Sequence, residues 1–154
     1  AAFNAPSAFV RAARRVSVNA AIVAAVIETM ARYRDSECRL TIDGERLGAF
    51  RVSNLGVIKN PHFAGSFCYD TRIAPDDGRL GINLCERLTR LQVLATLAAL
   101  SRKRFSGRPK TRSWTGRRVL VEGDREFALE TDGEVVQARR AEFAVVPKAV
   151  RCCR

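Results

Sequence analysis

The chain has 154 residues and a mass of 17.0 kDa, the size of one ordinary domain. With 47% apolar and 28% charged residues it can bury a core without disulfide or metal staples, and wholesale disorder is excluded. A net charge of +11 draws anionic partners such as nucleic acid, lipid headgroups or nucleotide phosphates. Its 23 arginines against four lysines are also what a GC-rich genome produces without functional demand. The longest uncharged run, between Arg15 and Glu28, is too short to span a bilayer and too deep in the chain for a cleaved secretory signal.

Residues 1–18 are rich in alanine and arginine and carry no boundary signal. Asn19 can cap a helix in which Ile22, Val23, Val26, Ile27 and Met30 recur at helical spacing, predicting a helix over 20–33. From Cys38 the period changes to two, and Asp43-Gly44-Glu45 turns the chain into a second extended run, 47–58. Asn60-Pro61 and Gly65 mark a loop, after which residues 67–73 resume an extended pattern. Asp76-Asp77-Gly78 is another turn and 80–85 another strand. Thr89 reads as the N-cap of a second helix with Leu91, Leu94, Leu97, Ala98 and Leu100 as its apolar face, stopping near Gly107 and Pro109. Strands then follow at 118–122 and 127–131, with a Gly123-Asp124 turn between them. After the Asp132-Gly133-Glu134 turn come strands at 143–146 and 149–152, separated by Pro147. Short strands at close intervals with turn residues between them predict a mainly β chain with two helices, an antiparallel β-sandwich or barrel.

The five cysteines are odd in number and without zinc-ligand spacing, which fits a reducing cytosol; Cys68 and Cys85 read as buried small hydrophobes. His62 is the only histidine, so it is the one possible base for Ser-His-Asp chemistry, and its loop position makes it a poor catalyst. Asp-Gly is turn chemistry first, yet two acids flanking a glycine can both face one cleft, one taking a proton while the other holds a hydroxyl. On the residues alone, Asp43/Glu45 and Asp132/Glu134 are equal candidates. Asp76-Asp77-Gly78 offers a carboxylate beside a bent backbone, a pattern able to take Mg²⁺ or Ca²⁺ with carbonyl oxygens. Basic residues crowd 102–118, with Phe105 and Trp114 interleaved. Such a segment suits an anionic membrane surface, whereas the single tryptophan and two tyrosines supply no stacking platform for single-stranded nucleic acid. No Walker-type loop or glycine fingerprint is present.

Taken in order, these motifs are familiar. The 20–33 helix, the first Asp-Gly-Glu hairpin, Asn60-Pro61-His62-Phe63-Ala64-Gly65-Ser66-Phe67 and Asp76-Asp77-Gly78-Arg79-Leu80 are followed by the 91–100 helix, Thr131-Asp132-Gly133-Glu134 and Val146-Pro147-Lys148-Ala149-Val150-Arg151. Over nearly the whole chain, 1–154, this order resembles the C-terminal domain of the diacylglycerol kinase-like lipid kinases, the group of bacterial diacylglycerol kinases, sphingosine kinases and ceramide kinases. The resemblance implies the second half of an ATP-dependent kinase that phosphorylates a lipid hydroxyl, cytoplasmic and peripheral at the inner membrane surface. It implies an N-terminal ATP-binding domain outside this chain, so that the isolated chain is inactive. Asp132 takes the place of the catalytic base and Glu134 its neighbouring acid. Asp77, with backbone oxygens near Ala74 and Arg79, matches a structural Mg²⁺ site. The implied partners are a lipid and the ATP domain, with no nucleic acid. Ala64-Gly65-Ser66 departs from the family's glycine triplet. The alternative is a non-catalytic basic module that binds anionic membranes or a partner protein through 102–118.

Overall fold

In the computed structural model, residues 35–63, 67–147 and 149 are described, with Ala8, Arg11, Ala12 and Arg15 as isolated positions. The predicted 20–33 helix, the Ala64-Gly65-Ser66 segment, Lys148 and 150–154 lie outside the described residues. The fully described elements follow in order: β1 (Ser36–Ile42), β2 (Glu45–Ile58), β3 (His62–Phe63), β4 (Phe67–Cys68), β5 (Leu80–Glu86), α1 (Arg90–Leu100), β6 (Thr111–Gly116), β7 (Arg118–Thr131) and β8 (Glu134–Ala144). Six of the strands form one sheet in the order β6-β5-β2-β1-β7-β8, and β3 pairs with β4 in a separate ribbon. The antiparallel β class is thus as read from the turn spacing. The chain divides into two units, 35–125 with 139–154, and 1–34 with 126–138. In the second, the described segment is the tip of the β7–β8 hairpin.

Strand β5 is buried at every position from 81 to 85, so both of its faces are covered. Ile82 and Leu84 pair across the ladder with Val57 and Leu55 of β2. Leu40 and Ile42 of β1 likewise oppose Val121 and Val119 of β7, and all four are buried. Cys85 belongs to a second cluster with Tyr69, Leu100 and Phe105, packed against Ile58, Phe63, Phe67, Leu88 and Leu97. That cluster brings α1 and the β3–β4 ribbon over the sheet. Tyr69 stacks on Phe63 at 4.9 Å and meets the edge of Phe105 at 4.8 Å.

Helix α1 starts where its cap predicts. Thr89 Oγ1 accepts the Gln92 N–H and Gln92 Oε1 accepts the Thr89 N–H, a complete capping box. Its inward face differs from the apolar pattern. Thr96, Ala99 and Leu100 are buried, whereas Leu91 and Leu94 are 78% and 47% exposed. Thr96 can face inward because its hydroxyl donates to the Gln92 carbonyl one turn back, at 2.7 Å. The helix also ends earlier, at Leu100 rather than near Gly107. Lys103 turns left-handed (φ 55°), and Lys103 and Arg104 N–H groups return to the Leu100 and Ala99 carbonyls. Phe105, read from the sequence as a headgroup aromatic, is fully buried.

Three further segments depart from expectation. The basic stretch 111–116, to which the sequence assigns no strand, is an edge strand, β6. Trp114 packs on Phe50 at 6.1 Å, and the Arg112 guanidinium lies over the same ring at 5.4 Å. No turn forms at Gly123-Asp124, because Gly123 pairs with Cys38 and β7 runs through. β8 begins at Glu134, well before Phe143, and the extended run from Phe67 keeps strand pairing only to Cys68. Gly116 ends β6 against the first Asp-Gly turn: an added Cβ would overlap Ile42 Cγ2 and lie 3.1 Å from Asp43 Oδ2. Gly116→Ala is therefore expected to cost about 1–3 kcal/mol in urea unfolding. A wild-type midpoint would show that this contact yields.

Candidate functional site

The two Asp-Gly-Glu segments fold into the same backbone. Asp43 and Gly44 have φ of 50° and 89°, and Asp132 and Gly133 have 49° and 88°. Both are two-residue hairpin turns with both central residues left-handed, the form that Asp-Gly favours between twisted strands. Glu45 opens β2 and Glu134 opens β8, so each glutamate starts the outgoing strand.

Their side chains are used differently. Asp43 Oδ1 accepts the backbone N–H groups of Arg117 and Arg118, each at 2.8 Å, and the Asp43 N–H donates to the Arg118 carbonyl. The carboxylate thereby closes the β6–β7 connection, and the Arg118 and Arg117 N–H groups hold its pKa below the ordinary 3.8. Asp132 and Glu134 are exposed, and among the described residues neither carboxylate is taken up by a hydrogen bond or ion pair. The first turn is structural. Among the described residues the second leaves both of its acids without such a partner.

The Asp76-Asp77-Gly78 turn gathers the three groups named from the sequence. Asp77 Oδ2 accepts the Ala74 N–H at 2.7 Å and Oδ1 accepts the Arg79 N–H at 2.8 Å. Gly78 completes the bend at φ 66°. Into this loop reaches Lys59, the residue following β2. Its Nζ donates to the Ala74 carbonyl at 2.6 Å, the Arg79 carbonyl at 2.8 Å, and Asp77 Oδ1. The Lys59 ammonium, then the Ala74 and Arg79 N–H groups, draw the Asp77 pKa down to about 2. Arg79 is itself fixed to β6 by its guanidinium, which donates to Thr115 Oγ1 and to the Thr115 carbonyl. Lys59 drew no notice in the sequence; its one signal was being one of four lysines in an arginine-rich chain.

His62 is exposed in the β3–β4 ribbon, 3.8 Å from Cys68 Sγ. Cys38, Cys68 and Cys85 are buried free thiols, and burial pushes Cys85 up to about 11. Among the described residues no three His, Cys, Asp or Glu side chains gather as a metal cluster, and no helix is long and apolar enough to cross a membrane.

The family described as the YegS C-terminal NAD kinase beta sandwich-like domain matches residues 4–154. The chain belongs to that family. Among solved structures it is similar to a candidate diacylglycerol kinase from Bacillus anthracis str. Sterne, at 16% identity and a TM-score of 0.61, over 79% of this chain and 42% of that one. A further crystal structure, of a diacylglycerol kinase from the same organism, aligns at 14% identity and a TM-score of 0.59, over 78% and 43%. At these identities the likeness is one of fold. The chain spans about two fifths of the length of these proteins. No curated protein matches it.

Asp43 provides a pH test of the structural turn. A carboxylate whose folded pKa is depressed contributes its full stabilisation above its unfolded value, and loses it as pH falls through the folded one. The stability gap between wild type and Asp43→Ala should be constant down to about pH 5 and should narrow below about pH 4. A gap that persists undiminished at pH 2 would show that Asp43 acts through something other than its charge.

Proposed function

We propose that this domain is the C-terminal half of an ATP-dependent lipid kinase that transfers the γ-phosphate to a lipid hydroxyl such as that of diacylglycerol. The observation that carries the proposal is the contrast between the two turns. In a chain of this family, the Asp-Gly-Glu placed to supply the base is the one whose carboxylates have no structural partner among the described residues.

A lipid hydroxyl is a poor nucleophile until its proton has somewhere to go. In this reading Asp132 accepts that proton as the bond to phosphorus forms, and Glu134 orients the hydroxyl from the start of β8. Phosphoryl transfer passes through a loose transition state, so the carboxylate chiefly positions the hydroxyl and receives the proton late. ATP with its Mg²⁺ is the co-substrate, held mainly by an N-terminal domain of the same protein, and Mg²⁺ there offsets charge on the phosphates. By itself the 1–154 domain is inactive.

The site of action is proposed as the cytoplasmic face of the membrane, where the substrate resides. Leu91 and Leu94 project from the outer face of α1, beside the exposed Arg87 and Arg90, and a basic rim around an apolar tip suits an anionic bilayer. The same feature favours the membrane-binding module as the second reading. That reading now rests on α1, since Phe105 is core and Trp114 packs on Phe50.

In the full-length protein, Asp132→Asn should lower kcat by at least about 10²-fold with an unchanged melting temperature, while Asp43→Asn should retain turnover. Substantial turnover by Asp132→Asn would remove it from the mechanism. The pair Leu91→Asp and Leu94→Asp should abolish salt-sensitive binding to phosphatidylglycerol vesicles. Undiminished binding would move the membrane face elsewhere.

A further inference from the structure

The Asp77 loop supports an inference that is independent of the kinase reading. An ammonium has three N–H donors and no acceptor. All three donors of Lys59 are used, on the Ala74 carbonyl, the Arg79 carbonyl and Asp77 Oδ1. These are the same three groups whose chemistry, a carboxylate and two backbone oxygens around a glycine bend, suits a hard cation. We infer that Lys59 is the cation of this site: a tethered ammonium stands where the donor set would otherwise take Mg²⁺, and the loop requires no divalent metal.

The two occupants exclude each other. A Mg²⁺ ion draws its oxygens to about 2.0–2.1 Å in an octahedron. Set among the same three oxygens it would overlap Lys59 Nζ and repel it. The Lys59 side chain is one-third exposed and that of Asp77 one-quarter, so the ammonium is partly sheltered and its attachment to β2 makes it permanent. The choice of lysine is also informative in a chain with 23 arginines. A planar guanidinium presents five donors in a fork, matched to two parallel oxygens, whereas a compact ammonium fits three oxygens converging on a point.

Removing the ammonium should therefore recreate a metal site. Mn²⁺ is the probe, titrated into the full chain without nucleotide and followed by electron paramagnetic resonance, with melting temperatures recorded in EDTA and in excess Mg²⁺. Wild type is expected to show no saturable binding that depends on Asp77, and the same melting temperature in both conditions. Lys59→Ala is expected to melt lower in EDTA, to recover with Mg²⁺, and to bind one Mn²⁺ that Asp77→Asn then abolishes. Saturable Mn²⁺ binding by the wild type that disappears in Asp77→Asn would overturn the inference, and it needs no Lys59 variant to fold. A folded Lys59→Ala that binds no Mn²⁺ would overturn it as well. Loss of kinase activity in Asp132→Asn, or its retention, leaves each of these outcomes unchanged.

Discussion

Strand β5 must be dry on both faces, and the arrangement of the 35–125 unit follows from that requirement. A strand with water on one side needs one layer of partners; β5, buried from 81 to 85, needs two. On one face Ile82 and Leu84 lie beside Val57 and Leu55 of the neighbouring strand β2, each contributing about 1.5–3 kcal/mol by leaving water. On the other, Cys85 lies under Tyr69, Leu100 and Phe105, so α1 and the segment after it have to fold back across the sheet. The polar residue of the strand is accommodated on one side only: Asn83 Oδ1 accepts the hydroxyls of Thr71 at 2.5 Å and Ser113 at 2.8 Å, while among the described residues its buried Nδ2 has no partner. The loop that feeds β5 is consequently not free to wander, and Lys59 with Asp77 fastens its bend to the end of β2.

Similar local sequences acquire different work through what surrounds them. Both Asp-Gly-Glu turns satisfy the same backbone demand, since two consecutive left-handed residues are tolerated best by aspartate and glycine. Asp43 lies beside the β6–β7 connection and spends its carboxylate on two N–H groups there. Asp132 sits at the tip of a hairpin and closes no such connection among the described residues. The same contrast holds for the basic residues. Lys59 is fully engaged with three oxygens, while Arg87 and Arg90 remain exposed beside Leu91.

Local chemistry was legible in the sequence; what depended on neighbours was not. The Thr89 cap, the turns at Asp43 and Asp132 and the strand at 80–85 could be read directly because each is determined within a few residues. The inward face of α1 could not, because Thr96 turns inward by donating to its own helix backbone while Leu91 stays outside. β6 carries no strand signal in the sequence, since an edge strand can bear Arg112 as readily as a loop can. Gly123-Asp124 has the composition of a turn, and only its pairing with β1 keeps it extended. In the candidate site, the residues alone left the two Asp-Gly-Glu pairs tied. What separates them physically is the approach of Arg117 and Arg118, some 75 residues away in the chain, to one and not the other. Lys59 was invisible for the same reason: its three acceptors lie 15 to 20 residues further on.

The central claim is that this domain completes a site in which a carboxylate takes the proton of a lipid hydroxyl. The most direct measurement supplies the full-length protein with radiolabelled ATP, Mg²⁺ and diacylglycerol in mixed micelles, and follows label into the lipid phase. The account predicts labelled phosphatidic acid from the intact protein and none from the domain alone. A folded, nucleotide-binding protein that labels none of a panel of diacylglycerol, ceramide and sphingosine would contradict it.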